Sequence, residues 1–323
     1  MINRIALSNL LPARRRGGLR LFVLVVILAG LGGNARADVI ADVRGELGSG
    51  QIEAAQKLLA AERTQHGVTP ELLEAMSWLA RNLLSRREYE PALVAAAQTY
   101  ELAKKAVQKT PLDSERHLPI ALGAAIEVQA QAMAARGERV KAVALLRTEL
   151  AAYGKTSLAA RLQKNLNLLT LEGKPAPALS LERFLGPKPE SLSALAGKPV
   201  LLFFWAHWCG DCKATAPVIA RIGSELAGQG LVVMAPTQPY GFTADAQDVS
   251  LETEISYIDA VRHKSYAPLL DVPAPVSSAN FLTYGASSMP TIVVVNRAGM
   301  VVLYHPGRMT YDELKPKVEA ALH

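Results

Sequence analysis

The sequence predicts an α/β domain at the C-terminal end, preceded by an all-α domain of helical-repeat type. Three observations carry this. From Asp38 to about Gly173 the chain is dominated by Ala, Leu, Glu, Gln, Lys and Arg, with apolar residues three and four apart and no segment that reads as a strand. Gly173, Pro175 and Pro177 then end the helical text, and beyond them strand-like and helix-like segments alternate, the mark of a sheet with helices packed on it. Finally, Pro199–Trp205 and Leu231–Ala235 are short and almost wholly apolar, as strands buried on both faces are.

Taken in order, residues 1–37 form a leader. Basic residues from Arg14 to Arg20 precede an apolar run from Leu21 to Leu31, and Ala35-Arg36-Ala37 follows. This is the pattern of a secretory signal peptide, or of an N-terminal anchor if it is not cleaved. An exported location follows, periplasmic or equivalent, and a membrane-anchored one in the uncleaved case. Residues 38–173 form the all-α domain and 174–323 the α/β domain. In the latter we expect strands at Pro199–Trp205 and Leu231–Ala235, helices at 211–227 and 250–263, a hairpin of Thr291–Asn296 with Met300–Tyr304 about Arg297-Ala298-Gly299, and a last helix at 311–322.

The helical half contains a faint repeat. Ala75 to Ala80, then Tyr89-Glu90-Pro91-Ala92 and Tyr100, resembles a tetratricopeptide helix pair. A second pair runs through Ala125, Ala132, Gly137, Ala142 and Leu146, and Gly50–Leu59 resembles the second helix of an earlier unit. The spacing is uneven, 37 residues from Ala55 to Ala92 and 50 from there to Ala142, with a loop around Thr110–Asp113 in the longer step. An unrelated helical bundle is the competing description. A groove for a protein partner is expected, of unspecified identity.

The net charge of +6 does not indicate nucleic acid. Residues 1–37 hold six arginines and no acid, and the remaining chain balances 29 basic against 29 acidic residues, leaving no surplus to track phosphates.

The chemistry lies in Phe204-Trp205-Ala206-His207-Trp208-Cys209-Gly210-Asp211-Cys212-Lys213. A C-x-x-C after a buried strand and at the head of a helix places the first sulfur where unpaired backbone N–H groups and the helix dipole favour an anion. The thiolate is the species that attacks a disulfide, and a second cysteine one turn on can resolve the mixed disulfide. Cys209 is therefore the expected nucleophile and Cys212 the resolving thiol. Zinc would need further ligands, and the chain has two cysteines in all. Haem attachment would need His at the position of Lys213. A structural bridge remains an alternative.

Residues 174–323 resemble the TlpA/ResA-like branch of the thioredoxin superfamily, exported thiol-disulfide oxidoreductases. The resemblance rests on Gly173-Lys174-Pro175-Ala176-Pro177, on Gly197-Lys198-Pro199-Val200 and on W-x-x-W-C-x-x-C, and covers a little under half the chain. It implies a thioredoxin fold, exchange with thiol- or disulfide-bearing protein substrates, an upstream membrane electron donor and no bound cofactor. It also implies that Met289-Pro290-Thr291 is the substrate-docking loop with a cis proline at Pro290, and that Pro217 kinks the helix after Cys212. Trp208 is expected at an apolar docking rim or in packing, and Trp205 in the core. His207 shares a face with Cys209 on an extended chain and as a cation would support the thiolate, although a solvated, uninvolved histidine is the simpler reading. Asp211 should raise the thiol pKa and make the pair more reducing.

Two family features are missing. Phe203 stands where thioredoxins carry a buried aspartate, and Thr215 where many TlpA/ResA-like proteins carry a glutamate. Without these bases, Asp211 or water is left to deprotonate Cys212, and exchange should quicken with alkalinity. Two other functions compete. A thiol peroxidase would need Thr and Pro where Ala206 and Leu202 stand. A partner-binding scaffold would carry the redox domain as an inert passenger.

Overall fold

The computed structural model describes residues 38–323, and the leader expected over residues 1–37 lies outside them. From Val39 to Thr170 the described residues form seven α-helices: α1 (Val39–Gly48), α2 (Ile52–His66), α3 (Pro70–Ser85), α4 (Tyr89–Val107), α5 (His117–Ala135), α6 (Arg139–Tyr153) and α7 (Ala159–Thr170). Local chemistry sets several starts. The Asp38 carboxylate accepts from the N–H groups of Ile40 and Ala41, and the Thr69 hydroxyl accepts from Leu72 N–H ahead of Pro70.

The first six helices pair as three hairpins with the same turn. Gly50, Arg87 and Gly137 each sit at positive φ between paired helices, and the next residue (Gln51, Glu88, Glu138) donates its N–H back into the preceding helix. Five residues past each turn lies a fully buried alanine: Ala55, Ala92 and Ala142. The uneven spacing read from the sequence thus comes from longer helices and the loop between α4 and α5, not from a different turn. Helix α5 is long and apolar enough to cross a membrane, but more than half of it is buried, chiefly against α3, α4 and α6, as befits the central helix of this layer.

The α/β part has a four-stranded sheet in the order β3-β2-β5-β6, from β2 (Val200–Phe204), β3 (Val232–Met234), β5 (Thr291–Val295) and β6 (Val301–Pro306). β2 runs parallel to β3 and antiparallel to β5, and β5 is antiparallel to β6. Because side chains alternate along a strand, Leu201 and Phe203 of β2 enter one core with α8 (Gly210–Leu226) and α11 (Tyr311–Ala320). Val200, Leu202 and Phe204 enter a second core, on the other face, with Phe281 and Tyr284 of α10 (Ser278–Tyr284). Helix α9 (Leu251–Ser265) starts from a Ser250 cap, and α11 from a capping box of Thr310 and Glu313.

These elements match the expected strands and helices closely. Sequence reading missed α10 and the two-residue ribbon of β1 (Phe184–Leu185) with β4 (Ala274–Pro275), both too short to show a period. Helix α10 matters because it seats the helical layer on the sheet. Gly285 ends it at φ +60, and a Cβ there would lie 2.3 Å from the Lys164 backbone nitrogen in α7, so only glycine fits. Asn167 donates to the Thr283 carbonyl, and Tyr304 N–H donates to the Glu172 carboxylate at 2.9 Å.

Candidate functional site

The site stands where β2 runs out. Its last residue, Phe204, pairs with Thr291 at the start of the antiparallel β5, so the loop after β2 and the loop before β5 share one end of the sheet. The first loop carries the cysteines. Cys209 has an extended backbone and is the N-cap of α8; its Sγ accepts from Cys212 N–H at 3.0 Å. The two cysteines are joined in a disulfide with Cα atoms 5.3 Å apart. The site is tight: Cys209 is 4% exposed and Cys212 0%. The little open surface is on Cys209, so an attacking or attacked group reaches that sulfur first.

Several buried groups hold the loop. Trp205 is in the core, as expected, and its indole N–H donates to the Ala235 carbonyl at 2.8 Å. The Thr237 hydroxyl donates to the Trp205 carbonyl, and the Tyr266 hydroxyl donates to the Ala206 carbonyl at 2.9 Å and more weakly to that of Cys209. Burial pushes the Tyr266 phenol up, so it remains a donor at neutral pH.

In the second loop the Met289–Pro290 peptide is cis. Pro290 is buried, its carbonyl accepts from Gly307 N–H at 2.7 Å, and the Thr291 hydroxyl donates to the Ser288 carbonyl. Met289 packs against the core cluster that contains both cysteines, and among the described residues its backbone makes no backbone hydrogen bond. Trp208 is 50% exposed, its ring edge-on to Tyr240 at 5.5 Å, an apolar surface beside Cys209.

The solvated reading of His207 is incorrect. His207 is 2% exposed, ringed by Tyr240, Phe242 and Tyr257 at centroid distances of 5.0 to 5.6 Å. Its Nε2 lies 3.3 Å from a Glu254 oxygen, but off the direction a hydrogen bond requires, so the two are close neighbours without a hydrogen bond. Burial lowers the His207 pKa and outweighs the raising effect of Glu254. The error is physical: residues 240–257 fold over this position from a segment far along the chain.

Glu254 is a residue that sequence reading missed. It is 1% exposed on α9 and accepts from the N–H groups of Tyr240 and Gly241 at 2.5 and 2.7 Å. One glutamate on a polar helix gives no sign that it points inward. Asp211 is exposed, and Arg308 Nη1 lies 3.2 Å from its carboxylate, so a cation the sequence did not place partly offsets its charge on the dithiol. Phe203 is core, and the buried Thr215 hydroxyl donates to the Asp211 carbonyl, so neither supplies a base. Pro217 lies inside α8. Among the described residues no three His, Cys, Asp or Glu side chains converge to hold a metal.

A C-x-x-C disulfide at the head of a helix, with a cis-proline loop at the same sheet end, defines a thioredoxin-fold thiol-disulfide oxidoreductase. The chain belongs to the TlpA/ResA-like family of these enzymes. The Redoxin family profile matches residues 171–322. The thiol-disulfide oxidoreductase ResA of Bacillus subtilis is 31% identical over 139 residues, 43% of this chain and 69% of that one. The thioredoxin-like protein YneN of the same organism is 28% identical over 148 residues, 46% of this chain and 79% of that one. Among solved structures, the exposed lipoprotein thioredoxin of Streptococcus pneumoniae is 28% identical with a TM-score of 0.36, covering 45% of this chain and 99% of that one.

Proposed function

We propose that this protein is exported and reduces disulfide bonds in protein substrates, with Cys209 as nucleophile and Cys212 as resolving thiol. The observation that carries the reading is the N-cap geometry of Cys209, whose sulfur already accepts a backbone N–H at the positive end of α8. In the reduced enzyme the Cys209 thiolate attacks one sulfur of a substrate disulfide and expels the other as a thiolate. Cys212 then loses its proton, attacks Cys209 and releases the second substrate thiol. The substrate gains two electrons and the enzyme becomes the disulfide. An upstream dithiol donor, membrane-borne in keeping with an exported location, restores the reduced pair.

The substrate strand lies along Met289, whose backbone is free to pair, with Trp208 as the apolar rim and Thr291 fixing the loop through Ser288. Export is supported by the leader pattern of residues 1–37. The helical layer, divided from the redox domain near Gly173, is read as tetratricopeptide-like on its three equivalent turns and their buried alanines. The peroxidase reading has no support at Ala206 or Leu202.

A Cys212→Ala variant tests this directly. Substrates should remain attached to Cys209 through a bond that dithiothreitol breaks, and a variant that captures nothing from an extract of exported proteins would refute the reading.

A further inference from the structure

One cleft lies outside the dithiol site, and two residues of its wall directly precede Met289 in the chain. It has a volume of about 590 Å³ and opens between the helical layer and the loop before Pro290, with Arg81 of α3, Glu127 of α5, Arg161 and Lys164 of α7, and Ser287 and Ser288 along its walls. Three cations thus face one carboxylate. Arg161 and Lys164 are both spent on Glu127, at 2.6 and 2.7 Å. Arg81 is left over. Its guanidinium lies over the Trp78 ring at 4.5 Å, and among the described residues no carboxylate is within ion-pair distance of it. Burial, followed by the neighbouring charge of Arg161, lowers the Arg81 pKa to about 10 and outweighs the raising effect of Glu127 and Glu74, neither of which pairs with it directly. Arg44 stacks on the same Trp78 at 4.4 Å and extends the positive surface.

The cleft is tied to the redox loop by backbone. Gly285 is pressed on the Lys164 backbone, and from there Ala286, Ser287 and Ser288 lead directly to Met289 and Pro290. The cleft wall and Met289 are thus continuous along the chain.

We propose that this cleft is a specificity site for an acidic segment of the substrate polypeptide, with Arg81 as the cation that receives its carboxylate. The proposal rests on the reading of Cys209 as the site of exchange with protein disulfides. The carboxylate belongs to the same substrate segment as the cysteine that Cys209 attacks, because Ser288 of the cleft wall is the residue before Met289. Ser287 and Ser288 flank it at the mouth, and Glu127, already neutralised by its two partners, does not repel it. The helical layer thereby has a definite use: it selects which disulfides are presented to Cys209.

The test uses the purified full chain and short fluorescein-labelled peptides in which serine replaces the reacting cysteine. One peptide carries glutamates around that serine, and its counterpart carries lysines at the same places. Fluorescence anisotropy should give at least about tenfold tighter binding of the acidic peptide, the worth of one charge-assisted contact. Arg81→Gln should remove most of that preference. Ser287→Glu, on an exposed position, should do the same by supplying a competing carboxylate, and guards against a folding defect in the first variant. Equal binding of the two peptides, or a preference that survives both substitutions, overturns the proposal. Reduction of 2-hydroxyethyl disulfide by the reduced wild-type chain is measured alongside. If that neutral disulfide is not reduced, the exchange reading falls and the substrate role falls with it. If it is reduced while the peptides bind equally, the cleft proposal alone is wrong.

Discussion

Glu127 offers the best quantitative check on how the helical layer is held together. It is mostly buried, its side chain 17% exposed, and it receives Arg161 and Lys164 from α7 and the Gln131 amide. Burial alone would raise its pKa; the two cations outweigh burial and hold it at about 2 instead of 4.5. That difference, at about 1.4 kcal/mol per tenfold change in proton affinity, amounts to about 3 kcal/mol favouring the folded state. The folded pKa is the lower one, so this stability is fully present above 4.5 and is lost as pH falls from there towards 2. Glu127→Gln keeps size and an acceptor but removes the charge. Urea unfolding at pH 7 should show the variant less stable by about 3 kcal/mol, and the gap should shrink to about 2 kcal/mol near pH 3.5. A gap that does not change with pH, or none at pH 7, would refute the claim that charge pairing fastens α7 to α5.

Three further outcomes are expected. His207 is held neutral by burial, its folded pKa below 6.5, so the unfolded chain binds this proton more readily and stability falls as pH drops below 6.5; His207→Gln should flatten the melting temperature between pH 7 and pH 5, and an unchanged slope counts against it. Gly285→Ala must force a Cβ into the α7 backbone at a positive φ, and should cost more than about 2 kcal/mol in thermal or chemical unfolding, with near-wild-type stability as the contrary result. Disulfide exchange should accelerate with alkalinity, because Phe203 and Thr215 provide no base and Asp211 is paired with Arg308; a stopped-flow profile already flat from pH 6 upward would show a base at work that these residues do not provide.

Much of the architecture was legible because it is written in local terms. β2 and β3 are short apolar runs between turn residues, and α9 and α11 begin at Ser250 and Thr310, whose side chains cap them. Helix α10 was not legible, since seven residues give less than two full periods, and its importance comes from Gly285 meeting α7 more than a hundred positions earlier. At the site, Cys209 and Cys212 declare themselves by spacing and motif, and Pro290 by the family resemblance. Glu254, Tyr266 and Arg308 do not, because nothing in a lone glutamate, tyrosine or arginine says which residue it will meet. His207 was misread for the same reason: neighbours in sequence describe an exposed loop, and the aromatic cover comes from residues 240–257.

The sequence by itself determined the reacting pair, the strand before it and the helix behind it, because hydrogen bonding and side-chain period act over a few residues. It also determined that the surplus positive charge lies in residues 1–37. Only the tertiary structure decided how open the sulfurs are, which carboxylate faces His207, and that Arg81 shares a cleft with Ser287 and Ser288 of the proline loop. Those are matters of burial and pairing between segments far apart in the chain, and the free energy of a charge depends on what surrounds it.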